Sequence, residues 1–248
     1  MKSLLIDVGN TRLKWARSIN NEIIERNLFA WKTETLEESL ASQWRDLNQP
    51  DAIFVSNVAG DVIRDIISSW CETNWKTKPV FAAVTGISCG VSNSYPEVEK
   101  LGIDRWLAMI GAWNYCKKNV CIIDCGSAIT VDVVNAKGLH QGGMISPGLV
   151  LSARALTDHT HALTAEQRKK FSTLANNTED AINSGCYHQF IGGVQYMLKK
   201  IQQHMGGDVK YIITGGDAEL ILNALDLEMR YEPDLVLKGL YLNMVSVT

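Results

Sequence analysis

The chain has 248 residues, 46% of them apolar and 21% charged, with a formal net charge of −3. These proportions suit a globular protein of one or two domains with a normal core. The missing basic run argues against a nucleic-acid partner, and no stretch is long enough to span a membrane. Taken in chain order, the apolar pattern predicts strands over 3–8, 11–18 and 22–30. Leu36, Leu40, Trp44 and Leu47 recur at helical spacing and predict a helix over 35–47. A strand over 52–58, a helix over 60–73, a strand over 79–84 and a helix over 104–117 follow. A second series opens with strands over 120–125 and 128–134, a turn at Asn135-Ala136-Lys137-Gly138 and a strand over 139–145. Ile182, Cys186, Phe190, Val194, Met197 and Ile201 then mark a long helix over 178–204, which Gly206-Gly207 stops. A strand over 209–213, a helix over 217–226, a short strand over 229–231 and a helix over 234–245 complete the chain.

The most informative feature is a repeat. Asp7-Val8-Gly9-Asn10-Thr11 returns in altered form as Asp124-Cys125-Gly126-Ser127. Each copy ends an apolar run, Leu4-Leu5-Ile6 or Cys121-Ile122-Ile123, and leads into another strand. The chain therefore reads as two related halves, 1–117 and 118–248. Three strands followed by alternating helix and strand, done twice, is an α/β plan of duplicated ribonuclease-H-like domains. It is the plan of the actin, Hsp70 and sugar-kinase superfamily, in which ATP lies in the cleft between the halves. Two facing turns with backbone N–H groups, small hydroxyls and a carboxylate suit a polyphosphate held by a cation. All seven tryptophans lie before residue 114, so the halves have diverged in packing.

Each motif also has a plainer reading. Gly9-Asn10 is a good hairpin pair, and only the repeat tips it toward a phosphate loop. Lys14 reads either as a point charge for a terminal phosphate or as a solvated strand lysine. Asp124 follows four uncharged residues, where a carboxylate is costly unless paired, hydrogen-bonded or on a cation. Asp104, in Gly102-Ile103-Asp104-Arg105-Trp106, reads as a helix N-cap. At that place the helix dipole also favours its ionised form, so it can accept a proton. Gly142-Gly143-Met144-Ile145-Ser146-Pro147-Gly148 ends a strand and starts a helix, with Pro147 suited to the first helical turn. Thr214-Gly215-Gly216-Asp217 offers bare backbone for an adenine and ribose, or is simply a strand-to-helix turn. His159-Thr160-His161 lacks a third ligand at useful spacing and reads as loop histidines. His140, His188 and His204 read as structural or surface residues. The six cysteines show no paired spacing and read as reduced buried thiols, as in a cytoplasmic protein.

Five ordered motifs resemble the type III pantothenate kinases: DxGNT near the N-terminus, GxDRW at 102–106, DxGSAxT at 124–130, GGxIxPG at 142–148, and Asn177-Thr178 with Ala181-Ile182 and Ser184-Gly185. The resemblance implies ATP-dependent phosphorylation of the primary hydroxyl of pantothenate, the first step of coenzyme A synthesis. It implies that Asp7, Val8, Gly9, Asn10, Thr11, Arg12, Leu13 and Lys14, with Ser127, bind ATP together with Mg²⁺. It further implies that Asp104 is the general base and that Tyr95, Gly102, Ile103, Asp104, Arg105 and Thr178 contact pantothenate. Asp124 is implied to bind a monovalent cation, potassium or ammonium. The family also implies a homodimer in which Thr178 reaches the partner's pocket. Ser127 stands where the family usually has threonine, so the hydroxyl survives. Two other readings remain: another small-molecule kinase of the superfamily, and a regulator of transcription, either non-catalytic or with a second role. The presence of both Asp104 and Asp124 favours the enzyme.

Overall fold

A computed structural model describes residues 1–20, 22–157 and 171–246. The pair His159 and His161 lies outside the described residues. The chain forms two compact units. The first comprises Met1–Lys117, Ala136–His140 and Asp234–Thr248, and the second Lys118–Asn135 and Gln141–Pro233.

The first unit is built on strands β1 (Lys2–Val8), β2 (Arg12–Ile19), β3 (Glu22–Ala30), β4 (Ala52–Asn57) and β5 (Val80–Phe81), in the order β3-β2-β1-β4-β5. The first three strands are antiparallel, and β4 and β5 add in parallel. Strand alternation sends Leu4, Ile6, Val8, Leu13, Trp15, Ile53 and Val55 to one face. Helices α1 (Leu36–Trp44) and α2 (Asp61–Trp75) cover that face with Leu36, Leu40, Trp44, Ile63, Ile67 and Trp70. Trp44, Trp70 and Trp75 form a mutual aromatic cluster, with centroids 4.8–5.7 Å apart. By the same alternation Leu5, Asp7, Lys14, Phe54 and Ser56 point to the other face. There α3 (Ile103–Cys116) and α7 (Leu235–Val245) pack on each other, on β4 and, for α7, on β1. Gly111 and Gly239 allow that helix pair to approach closely. A Cβ on Gly111 would lie 2.7 Å from the Leu235 carbonyl oxygen, and one on Gly239 would run into the Leu107 carbonyl. Chain order and packing thus part company at the C-terminus, because α7 closes over the first sheet. A two-stranded hairpin, β6 (Ile87–Ser88) with β7 (Val91–Ser92), also belongs to this unit.

The second unit repeats the sheet. Strands β8 (Val120–Cys125), β9 (Ala128–Val134), β10 (His140–Pro147), β11 (Lys210–Thr214) and β12 (Arg230–Tyr231) run in the order β10-β9-β8-β11-β12. The senses also match, antiparallel for β8–β9 and parallel for β8–β11 and β11–β12. Cys121, Ile123, Cys125, Ile129, Val131 and Ile213 share one face with Phe190, Val194, Leu198 and Ile201 of α5 (Thr178–Met205) and Ala218 and Ile221 of α6 (Ala218–Leu222). Burial of this kind drives the long helix onto the sheet despite its polar outer side. The remaining helix, α4 (Leu149–Thr157), follows Gly148 directly. Asn177 caps α5, its side chain accepting from Asp180 N, and Gly206, at φ 54°, ends it.

The elements follow the sequence pattern with local differences. Pro147 is the last residue of β10 rather than part of a helical first turn. Asp104 is not an N-cap: Gly102 holds that position and Asp104 lies inside the first turn. The helix expected over 217–226 is confined to Ala218–Leu222, and the strand expected over 79–84 to Val80–Phe81. The six cysteines are all free thiols, Cys71, Cys121, Cys125 and Cys186 buried among them.

Candidate active site

In the first unit, Asp7 lies opposite Lys14 on β2 and Ser56 on β4. Its carboxyl is raised from the ordinary 3.8 to about 6. Burial is the main cause, the Lys14 ammonium opposes it and the Asp104 carboxylate adds to it. Two carboxylates from distant parts of the chain are thus near enough to repel, and one lysine partly offsets them. The turn after Asp7 is pinned. Gly9 N donates to Arg12 O at 3.0 Å, and Trp31 Nε1 donates to Gly9 O at 3.1 Å. Asn10 and Thr11 remain exposed at its tip.

Asp104 and Arg105 open α3. The Arg105 amide donates to Asp104 Oδ1 at 2.8 Å. A Cβ at Gly102 would lie 2.6 Å from that same oxygen, so glycine makes room for the carboxylate to fold back. Arg105 is only 6% exposed. Its Nη1 donates to the Tyr95 hydroxyl at 3.0 Å, and the guanidinium lies 5.8 Å from the Tyr95 ring centroid. Tyr95 N donates to Asn93 Oδ1 at 2.9 Å, which fixes the loop that carries the ring. Asp7, Lys14, Tyr95, Gly102, Ile103, Asp104 and Arg105 therefore all belong to the first unit.

In the second unit, Asp124 occupies on β8 the place that Asp7 has on β1. Its neighbours across the sheet are Thr130 and Thr214, where Asp7 has Lys14 and Ser56. The loop beyond it is tied by backbone bonds. Gly126 N donates to Ala128 O, Gly148 N to Ser127 O and Asp217 N to Cys125 O, each at 3.0 Å. Gly215, at φ +96°, packs so tightly on Cys125 that a Cβ would meet its backbone. The Cys125 thiol is pushed well up by burial and then by the carboxylates of Asp124 and Asp217. Two acids therefore flank this loop. Ser127 is exposed on it, and Thr178 is exposed as the first residue of α5. Among the described residues no group of three or more His, Cys, Asp or Glu side chains is arranged to hold a metal. A cation at Asp124 would have oxygen donors nearby in Thr130 and Thr214, a hard donor set that suits a main-group ion better than a soft transition metal.

The family model for type III pantothenate kinase matches residues 3–200. The chain belongs to that family. A type III pantothenate kinase of Nitrosococcus oceani is 35% identical over 243 residues, covering 96% of this chain and 91% of its own. Among solved structures, a protein assigned to the Baf family of transcriptional activators from Campylobacter jejuni superposes with a TM-score of 0.57 at 22% identity, covering 96% of this chain and 95% of the other. A ROK family glucokinase of Streptomyces griseus, solved with glucose and AMPPNP, superposes with a TM-score of 0.53 at 9% identity, covering 100% and 99%. At such identities these likenesses show the fold alone, that of the actin-like ATPases and sugar kinases.

Within this type III pantothenate kinase framework, three neighbours of the expected site residues carry no signal in the sequence. Asn93 anchors the Tyr95 backbone, Ser56 lies beside Asp7 in the sheet, and His140 stacks on the Tyr95 ring at 5.9 Å. The nearness of Asp7 to Asp104 is equally hidden there. Strand parity could have suggested it, since Asp7 and Leu5 share the face opposite Leu4 and Ile6.

Proposed function

We propose that this chain is a kinase that transfers the γ-phosphoryl group of ATP to the primary hydroxyl of pantothenate, giving 4'-phosphopantothenate and ADP as the first step of coenzyme A synthesis. Family membership across residues 3–200 is the observation that carries the reading. The chemistry at the start of α3 agrees with it. In the proposed reaction Asp104 takes the proton of the attacking hydroxyl as its oxygen bonds to the γ-phosphorus. The bond from that phosphorus to the β–γ bridging oxygen breaks, and ADP leaves. Phosphoryl transfer of this kind depends on positioning and charge neutralisation more than on covalent help.

In this reading the turn Asp7–Lys14 and Ser127 bind the nucleotide, with Lys14 countering phosphate charge. Tyr95, Gly102, Ile103 and Arg105 bind pantothenate. Mg²⁺ carried in with ATP, and a potassium or ammonium ion that Asp124 would hold, would supply positive charge against the phosphates. A homodimer in which Thr178 of each chain completes the partner's pantothenate pocket is the proposed working unit. No described helix is long and apolar enough to cross a membrane, and the net charge of −3 offers no nucleic-acid footprint. A cytoplasmic enzyme without membrane or nucleic-acid partners is the reading we adopt. It is tested by following ADP release in potassium buffer with and without pantothenate. Release that depends on pantothenate is expected. Release that ignores it, or none, would overturn the reading.

A further inference from the structure

His140 is 1% exposed, although its side chain is polar. Its place is set by the turn between β9 and β10. Gly138, at φ +80°, lets the turn lie against the β6–β7 hairpin, where a Cβ would run into the Gly90 carbonyl. Ser92 N donates to Gly138 O at 2.8 Å, and Leu139 bridges Ser92 in parallel. The next residue, His140, is thereby delivered to the loop that follows β7. Its Nδ1 is hydrogen-bonded to Ser94 Oγ at 3.1 Å, the tautomer deciding which atom donates. Its ring stacks on Tyr95 with centroids 5.9 Å apart and planes inclined by 15°. Offset aromatic stacking at such distances is favourable and directional. Tyr95 in turn receives the Arg105 Nη1 hydrogen on its hydroxyl at 3.0 Å.

We propose that His140 is a positioning residue for pantothenate recognition, acting through Tyr95 on Arg105. This rests on the reading that Tyr95 and Arg105 contact pantothenate. A tyrosine on a surface loop has two soft side-chain torsions. One buried plane against its ring and one hydrogen bond to the preceding serine remove that freedom before substrate arrives. The tyrosine hydroxyl then presents a fixed acceptor to the guanidinium, and the guanidinium a fixed donor set to an anionic substrate. Phenylalanine at 140 would keep the stack without the Ser94 bond, and leucine would keep neither.

The test is steady-state kinetics on His140→Leu and His140→Phe, each also in a Tyr95→Phe background, with folding checked by tryptophan fluorescence. His140→Leu is expected to raise the KM for pantothenate roughly three- to tenfold, with the KM for ATP within about twofold of wild type. His140→Phe should show the same selective rise to a smaller extent, and it carries the test if the leucine variant does not fold. In the Tyr95→Phe background the effect of either change should shrink to under about twofold, because residues acting through one hydroxyl are coupled. A rise in both KM values alike, no rise, or an effect undiminished by Tyr95→Phe would overturn the proposal and assign His140 to core packing. The underlying reading fails separately: Tyr95→Phe and Arg105→Lys would then both leave the pantothenate KM at the wild-type value.

Discussion

Replacing Asp7 with asparagine should stabilise the first unit at neutral pH while abolishing phosphoryl transfer. The Asp7 carboxyl rises from 3.8 to about 6 on folding, because burial outweighs the help of Lys14 and Asp104 adds repulsion. Between about pH 4 and pH 6 the folded state therefore binds more protons than the unfolded chain, and stability falls as pH rises through that window. At about 1.4 kcal/mol per pH unit, the ionised carboxylate costs the folded unit about 3 kcal/mol at pH 7.5 and about 1 kcal/mol at pH 4.5. The neutral amide introduced by Asp7→Asn carries no such cost. All seven tryptophans lie within Met1–Lys117, so their fluorescence reports the first unit selectively. Urea unfolding followed by that signal should show the Asp7→Asn variant more stable by about 3 kcal/mol at pH 7.5, with the gain falling to about 1 kcal/mol at pH 4.5. A gain that does not change with pH, or a loss at pH 7.5, would refute the argument that a functional acid is held here against the stability of the fold.

Asp104→Asn should lower turnover by roughly 10²–10⁴-fold, the usual cost of losing a general base. ATP binding, followed by calorimetry, should stay nearly intact, and turnover within a few-fold of wild type would leave Asp104 with a structural role only. Turnover at constant ionic strength should be faster in potassium or ammonium than in sodium, and equal rates in all three would remove the cation from Asp124. Asp104→Asn and Thr178→Arg, each inactive alone, should recover about a quarter of wild-type activity when unfolded and refolded together in equal amounts, since half the dimers are mixed and each has one intact site. Mixed dimers that form and stay inactive would place Thr178 in its own chain's chemistry or in another role.

Most of the fold was legible because its signals are local. Leu4-Leu5-Ile6 and Cys121-Ile122-Ile123 are apolar runs closed by a turn, and the repeated Asp-x-Gly marks where each sheet begins. The two sheets bear this out in their identical strand order. The β6–β7 hairpin left no trace because strands of two residues, Ile87–Ser88 and Val91–Ser92, are too short to show alternation. The destination of α7 was hidden for another reason. Leu235, Val236, Leu237, Leu240 and Met244 are buried around much of the helix, so the pattern predicts burial but does not say against which sheet. Its packing on β1 and β4, with Gly239 set against Leu107 of α3, settles that. At the site, motif residues could be picked out one at a time, but their mutual placement could not. Asp7 and Asp104 come together through sheet parity and helix packing, and His140 reaches Tyr95 through a turn whose fit depends on Gly138 lacking a side chain against the Gly90 carbonyl.

The proposed reaction places a phosphoryl group on one particular hydroxyl of pantothenate. The direct measurement is NMR of the product formed from ATP, Mg²⁺ and pantothenate in potassium buffer, reading the phosphorus–proton coupling of the new ester. A single phosphomonoester is expected, its phosphorus coupled to the methylene protons beside the primary hydroxyl of pantothenate and formed in equal amount to ADP. An ester on the secondary hydroxyl, or inorganic phosphate as the only phosphorus product besides ADP, would contradict it.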